Sequence, residues 1–169
     1  LAPFYERTGA TTGLLESLAG ISQRRQWPEG VSFMEAAAMA GEKALASSGI
    51  DRSRIGLVVD SSVCRERLEP SSAVTVHNLL RLPSTCMNFD ISNACLGFLN
   101  GIQIAGSMIE TGQIDYALVV DGEGTRQIHE TTIQKLLADD ATIEDLFENF
   151  ATLTLGSGSA AMVIGRHSE

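Results

Sequence analysis

Three short apolar runs constrain this chain more than any other feature. They are "IGLVVDSS" at residues 55–62, "CMNFDI" at 86–91 and "YALVVDGEG" at 116–124. The first and third are rich in β-branched residues and too short for helices. They lack the in-out polar alternation of a half-exposed strand, so they predict strands buried on both faces. Helix-length segments separate them. Residues 32–48, "SFMEAAAMAGEKALASS", carry a helical period, with Ser32 and Glu35 placed as a capping box and Gly49 as the stop. Residues 71–82 predict a helix behind Pro70. Residues 90–110, "DISNACLGFLNGIQIAGSMIE", hold nineteen uncharged residues between two acids and predict a long buried helix ending near Gly112. Residues 126–149 are polar, acidic and helical in pattern, with a start signal at Thr142. "TLTLGSGSAAMVIG", residues 152–165, reads as two strands around a Gly-Ser turn. Strand and helix in alternation predict an α/β layered domain with a largely parallel sheet and no internal linker.

Composition narrows the class. The chain has 169 residues, 44% hydrophobic and 20% charged, which is enough to bury a core. The net charge of −9 argues against a nucleic-acid partner. Cys64, Cys86 and Cys95 are odd in number and form no CxxC pair, so neither a disulfide framework nor a metal site is expected, and a reducing cytoplasm fits. The uncharged run is interrupted by Ser92, Asn93, Asn100, Gln103 and Ser107, which argues against a membrane span. No basic segment leading into an apolar run opens the chain at Leu1, so no signal peptide is expected. Its ends predict a fragment, with an opening strand before Leu1 and further chain after Glu169.

Chemistry can be placed on few residues. Cys95 stands at the head of the uncharged helix. Unpaired N–H groups and the positive end of the helix dipole favour a thiolate there, whereas burial opposes one. Position alone leaves both an activated nucleophile and an inert core cysteine open. Glu69 lies in "CRERLEPSS", on the loop leaving the first strand, where α/β domains place function. Pro70 restricts its backbone. Glu69 is therefore either a positioned base or a solvated surface acid. Cys86 reads as core, and Cys64, beside Arg65 and Arg67, as a bystander. His77, His129 and His167 show no ligand spacing, and "LGSGSA" lacks the lysine of a phosphate loop. Trp27 reads as a packing aromatic. Gly97, Gly101 and Ala105 share one helix face, bare enough for close approach by another helix, which is expected to lie outside this chain.

Taken together, "GISQRRQW", "DSSVCRERLEPSSA", "FDISNACLGFLNGIQIA", "GQIDYALVVDGEG" and "TLTLGSGSAAMVIG" resemble the thiolase superfamily. Within it the chain is most similar to condensing enzymes of the β-ketoacyl-ACP synthase III type, and among those to the OleA-type acyl-CoA condensing enzymes of bacterial long-chain olefin biosynthesis. The resemblance runs over nearly the whole chain. Its specific parts are "NACLGF" and "LEPS", the latter bearing the glutamate twenty-six residues before Cys95.

The resemblance implies a thiolase-like αβαβα fold in two similar halves, residues 1–169 being the N-terminal half-domain. It implies Cys95 as the nucleophile that is acylated by a long-chain acyl-CoA, its backbone N–H serving as an oxyanion donor. It implies Glu69 as a base acting across a homodimer, taking a proton from the second acyl-CoA. The product of this non-decarboxylative Claisen condensation is a β-keto acid. No cofactor and no metal are implied beyond the CoA thioester substrates. The family's catalytic His and Asn belong to the second half, so this chain alone is expected to be inactive. Leu14 and Leu18 stand where ACP-dependent synthases carry a Trp and an Arg that contact the nucleotide, which favours the acyl-CoA reading. Two alternatives stand beside it: a β-ketoacyl-ACP synthase III that condenses acyl-CoA with malonyl-ACP, and a non-catalytic acyl-binding or scaffold subunit.

Overall fold

The computed structural model describes residues 1–166; His167 lies outside the described residues. The elements run α1 (Ala2–Thr8), α2 (Leu14–Ala19), α3 (Phe33–Ser48), β1 (Ile55–Asp60), α4 (Ser72–Leu79), β2 (Met87–Asp90), α5 (Gly97–Glu110), β3 (Tyr116–Glu123), α6 (Arg126–Leu137), α7 (Ile143–Glu148), α8 (Phe150–Thr154) and β4 (Gly158–Gly165). They form two compact units. One comprises Leu1–Trp27 with Gly124–Ser157; the other comprises Pro28–Glu123 with the segment from Gly158 onward.

The larger unit is a four-stranded sheet in the order β2-β1-β3-β4. β1 pairs in parallel with β2 and with β3, while β4 runs antiparallel to β3. The period-2 geometry of the strands sorts their side chains. Val58, Leu118 and Val120 face one way, into a core with Met34, Ala37 and Leu45 of α3 and Val76 of α4. Leu57, Val59, Ala117 and Val119 face the other way, against Ala105 and Ile109 of α5. Helices thus cover both faces of a mixed, mostly parallel sheet, as the apolar runs require.

Local signals explain where α3 starts and stops. Ser32 and Glu35 exchange the two hydrogen bonds of a capping box, and Gly49 ends the helix in the left-handed region. Close approach is fixed at Gly122, where an added Cβ would lie 2.1 Å from the Phe33 carbonyl oxygen. The start of α3 can therefore seat on β3 only over a glycine.

The smaller unit packs Phe4, Tyr5, Leu15, Leu136, Leu146 and Leu153 into a separate core. Arg7 ties it together by donating to the carbonyls of Leu136, Asp139 and Ala141. The region 126–149 is two helices, and Thr142 caps the second with a capping box to Asp145.

Three expectations are corrected. Residues 152–165 do not form a hairpin. Thr152–Thr154 lie in α8, with Leu153 buried in the smaller core, and only β4 is a strand. β4 finds its partner in β3, across eight register pairs, rather than in its own sequence neighbour. The bare face of α5 does not await a missing helix. Gly97, Gly101 and Ala105 are buried, and the sheet meets them: a Cβ on Gly101 would lie 2.8 Å from Val119 Cγ1, and one on Gly97 2.9 Å from the Ser61 carbonyl oxygen. Nor is α5 fully buried, since its other side leaves Leu96, Ile104 and Leu99 exposed, Leu99 at 61%.

Candidate active site

The parallel strands deliver their last residues to one end of the sheet, and both sequence-selected residues sit there. β2 ends at Asp90, and Ile91 donates its N–H to the Asp60 carbonyl, extending the ladder one step. The chain then turns through Ser92 and Asn93 into a 3-10 turn at Ala94–Leu96, closed by Leu96 N–H to the Asn93 carbonyl at 2.9 Å, before α5 begins at Gly97. Cys95 lies in this turn and is exposed. The residue before it, Ala94, has φ 44°, a left-handed conformation that a residue with a Cβ adopts at a cost of about 1–2 kcal/mol. A tight turn with that backbone carries the exposed thiol past the strand end and sets it at the positive, N-terminal end of a fourteen-residue helix. Gly97, directly behind, lets the head of the helix rest on the Ser61 carbonyl. Beside the turn an open groove of about 640 Å³ follows the exposed side of α5, lined by Ile91, Ser92, Asn93, Gln103, Ile104 and Met108 among others.

Glu69 occupies the long loop between β1 and α4. The Glu69–Pro70 peptide is cis. Leu68 and Glu69 are exposed, Leu68 at 88%. The structure brings Glu69 and Cys95 to the same end of the sheet without a hydrogen bond between them among the described residues.

The loop's roots are held by two carboxylates that sequence reasoning passed over. Glu123, the last residue of β3, accepts from the N–H groups of Val63 at 2.7 Å and Cys64 at 3.0 Å. Asp90 accepts from Arg65 Nη1 at 2.7 Å, Ser72 N–H at 2.8 Å and Ala73 N–H at 2.8 Å. Helix α4 has no side-chain cap from Ser71, and Asp90 supplies one from a neighbouring strand. The only signal in the sequence was an acid at the end of an apolar run.

A second acidic group lies deeper. Asp60, 1% exposed, accepts from the Ser62 hydroxyl at 2.5 Å, and Ser62 Oγ in turn accepts from Gly122 N–H. Among the described residues, buried Asp60 Oδ2 has no hydrogen-bond partner. Burial pushes the Asp60 carboxyl up to about 6, against the hydrogen bonds from Ser62. Burial also raises Asp121, which accepts from Ser61 Oγ.

The remaining candidates fall into structural roles. Cys86 is buried next to β2, and burial pushes its thiol up to about 11. Cys64 is half-buried on the loop, and none of the three cysteines is in a disulfide. His129 is buried in the smaller unit, within hydrogen-bond distance of the Gln26 side chain and the Thr152 carbonyl. His77 sits on α4 against the Pro83 carbonyl. Among the described residues, no helix is long and apolar enough to cross a membrane.

This architecture has close counterparts. Residues 89–169 match the family described as 3-oxoacyl-(acyl-carrier-protein) synthase III. The chain is 46% identical over 166 residues to the acyl-CoA:acyl-CoA alkyltransferase of Xanthomonas campestris, covering 98% of this chain and 49% of that protein. The crystal structure of Xanthomonas campestris OleA with bound lauric acid and lauroyl-CoA, a cysteine-to-serine variant, superposes with a TM-score of 0.93 at 45% identity, covering 98% of this chain and 49% of that one. The chain belongs to the β-ketoacyl-ACP synthase III-like branch of the thiolase superfamily. Within that branch it is more distant from a β-ketoacyl-ACP synthase III of Streptomyces coelicolor, at 30% identity over 97% of this chain and 43% of that protein. It spans about half the length of the curated relatives it matches. Other structures of the Xanthomonas protein carry a glutamate replaced by aspartate, or a histidine replaced by asparagine.

Proposed function

We propose that this chain is the N-terminal half of an acyltransferase that condenses two long-chain fatty acyl-CoAs without decarboxylation. The Cys95 thiolate attacks the thioester carbonyl of the first acyl-CoA, and CoA leaves as its thiolate, which takes a proton from water. The Glu69 carboxylate then removes a proton from the carbon next to the carbonyl of the second acyl-CoA. The carbanion attacks the acyl-cysteine, Cys95 departs as thiolate, and water cleaves the remaining thioester to give a β-keto acid and CoA. The Cys95 N–H helps to hold the oxyanion. No cofactor beyond the CoA thioesters enters this scheme, and the three cysteines, odd in number and without a CxxC pair, suit a reducing cytoplasm.

One observation carries the reading. In the Xanthomonas relative the replaced glutamate precedes the replaced cysteine by twenty-six residues, the interval from Glu69 to Cys95. Exposure of both residues at one end of the sheet supports it, and the protruding Leu68–Glu69 tip suits a base offered to the neighbouring site of a homodimer. The histidine replaced in that relative lies farther beyond its cysteine than any residue of this chain lies beyond Cys95. Its counterpart is therefore none of His77, His129 and His167, and the reaction needs the second half.

The test uses the polypeptide carrying both halves. It is expected to release β-keto acid from acyl-CoA alone, with no malonyl donor, and to show acylated Cys95 by mass spectrometry. Cys95→Ser should abolish both. Glu69→Gln should keep acylation and lose condensation by about a hundredfold or more, the range of a general base. A strict requirement for malonyl-ACP would sink this reading in favour of the decarboxylative synthase. Absence of any acylated Cys95 would favour a scaffold subunit.

A further inference from the structure

We infer that Asp90 is a positioning residue for Glu69, an assignment that rests on the reading of Glu69 as the base. Three independent groups converge on this one carboxylate: the Arg65 guanidinium at one root of the loop, and the Ser72 and Ala73 N–H groups at the other. Its side chain is 7% exposed, so these bonds form where water competes poorly. Between the two roots a further side-chain tie is Arg67 Nη2 to Thr75 Oγ1, an exposed bond at 2.7 Å. Glu66, Leu68, Glu69 and Pro70 are exposed. Among the described residues no side-chain hydrogen bond or ion pair holds Glu69 itself, so its place within this chain is set by the loop's roots.

Asp90 is the last residue of β2, the strand that runs straight into the Cys95 turn. The carboxylate that gathers the loop thus belongs to the segment that carries the nucleophile. Glu123 completes the arrangement by holding Val63 and Cys64 from β3. Holding the loop that offers the base matters for condensation at the neighbouring site, where a misplacement of about 1 Å costs on the order of a hundredfold. It is not needed for acylation, in which Glu69 takes no part.

The discriminating measurement separates the two half-reactions in the polypeptide carrying both halves. Asp90→Asn keeps one acceptor oxygen but loses the charge. It is expected to slow condensation tenfold or more while acylation of Cys95, followed by mass spectrometry after quenching, changes less than threefold. Arg65→Met removes one arm and leaves the helix cap intact; a smaller loss of the same kind is expected. The double variant Asp90→Asn/Glu69→Gln should condense no more slowly than Glu69→Gln alone, because the two act through one group. Equal loss of acylation and condensation in Asp90→Asn would make the residue merely structural and overturn the assignment. So would additive losses in the double variant. If Asp90→Asn does not fold, Arg65→Met with the same double-variant comparison decides. If Glu69→Gln condenses like wild type, the reading of the base fails and this assignment with it. If Glu69→Gln is impaired but Asp90→Asn and Arg65→Met are not, only this assignment fails.

Discussion

Ala94 holds a φ of 44° one residue before the thiol. An alanine there costs about 1–2 kcal/mol relative to a residue that tolerates the left-handed region. Ala94→Gly relieves that strain but adds about 0.4–1 kcal/mol of freedom to the unfolded chain. The relief exceeds the cost by up to about 1 kcal/mol, so the melting temperature should rise by no more than about 2–4 °C. The rate of Cys95 acylation should fall, because the turn that fixes the thiol becomes one of several accessible conformations. Scanning calorimetry together with acylation kinetics checks both. A marked loss of stability at unchanged acylation would show that the Ala94 conformation serves the fold and not the nucleophile. Local patterns, a helix head and a proline, singled out Cys95 and Glu69 in the sequence but left each of them open, and it was the family resemblance that assigned them roles. Asp90 was not singled out, because its partners Arg65, Ser72 and Ala73 lie 25, 18 and 17 residues away, and no local pattern encodes a contact of that separation.

The elements reveal why a bare helix face is an ambiguous signal. Small residues show that something approaches closely, but not whether it is a helix or a sheet; on α5 it is the sheet. Three glycine-to-alanine changes separate the cases. At Gly122 the new Cβ would meet a backbone oxygen at 2.1 Å that cannot retreat without moving α3. A destabilisation of about 3 kcal/mol is expected, at the upper end for overpacking. At Gly101 the obstacle is a valine methyl at 2.8 Å, so a loss of about 1 kcal/mol is expected. Gly106, on the same helix as Gly101, has nothing within 4 Å, and alanine there should stabilise by about 0.5–1 kcal/mol through helix propensity. Urea denaturation of the three variants gives the ranking, and a cost at Gly106 would contradict the placement of α5. The strands β1 and β3 were legible because burial on both faces leaves a nearly unbroken apolar run, whereas β2 is only partly buried. The segment 152–165 was misread because α8 spans only five residues, too few to show a helical period. The Gly-Ser stretch after it mimics a hairpin turn, yet in sequence it joins the two units.

For the whole molecule, the buried acids of the sheet end set a pH response. Asp60 titrates at about 6 in the folded chain, raised from 3.8 by burial. Between those values the folded state holds a proton that the unfolded state has released, so stability falls as pH rises through this window. The contribution is complete below about 4 and lost above about 6, and amounts to about 3 kcal/mol. Asp121 is shifted in the same direction. Asp51 and Asp145, held low by hydrogen bonds from Ser53 and Thr142, act in the opposite sense and only at more acidic pH. Asp60→Asn should therefore flatten the dependence of stability on pH between about 4 and 6. An unchanged slope in that window would show that another group is responsible. The anchored loop has a different consequence, one for redesign. Its roots are gripped from β2 and β3, so the stretch from Glu66 to Pro70 is a cassette with fixed mounting points. Foreign sequences of equal span could be grafted there, and the sheet would present whatever side chain they carry at the place now given to Glu69.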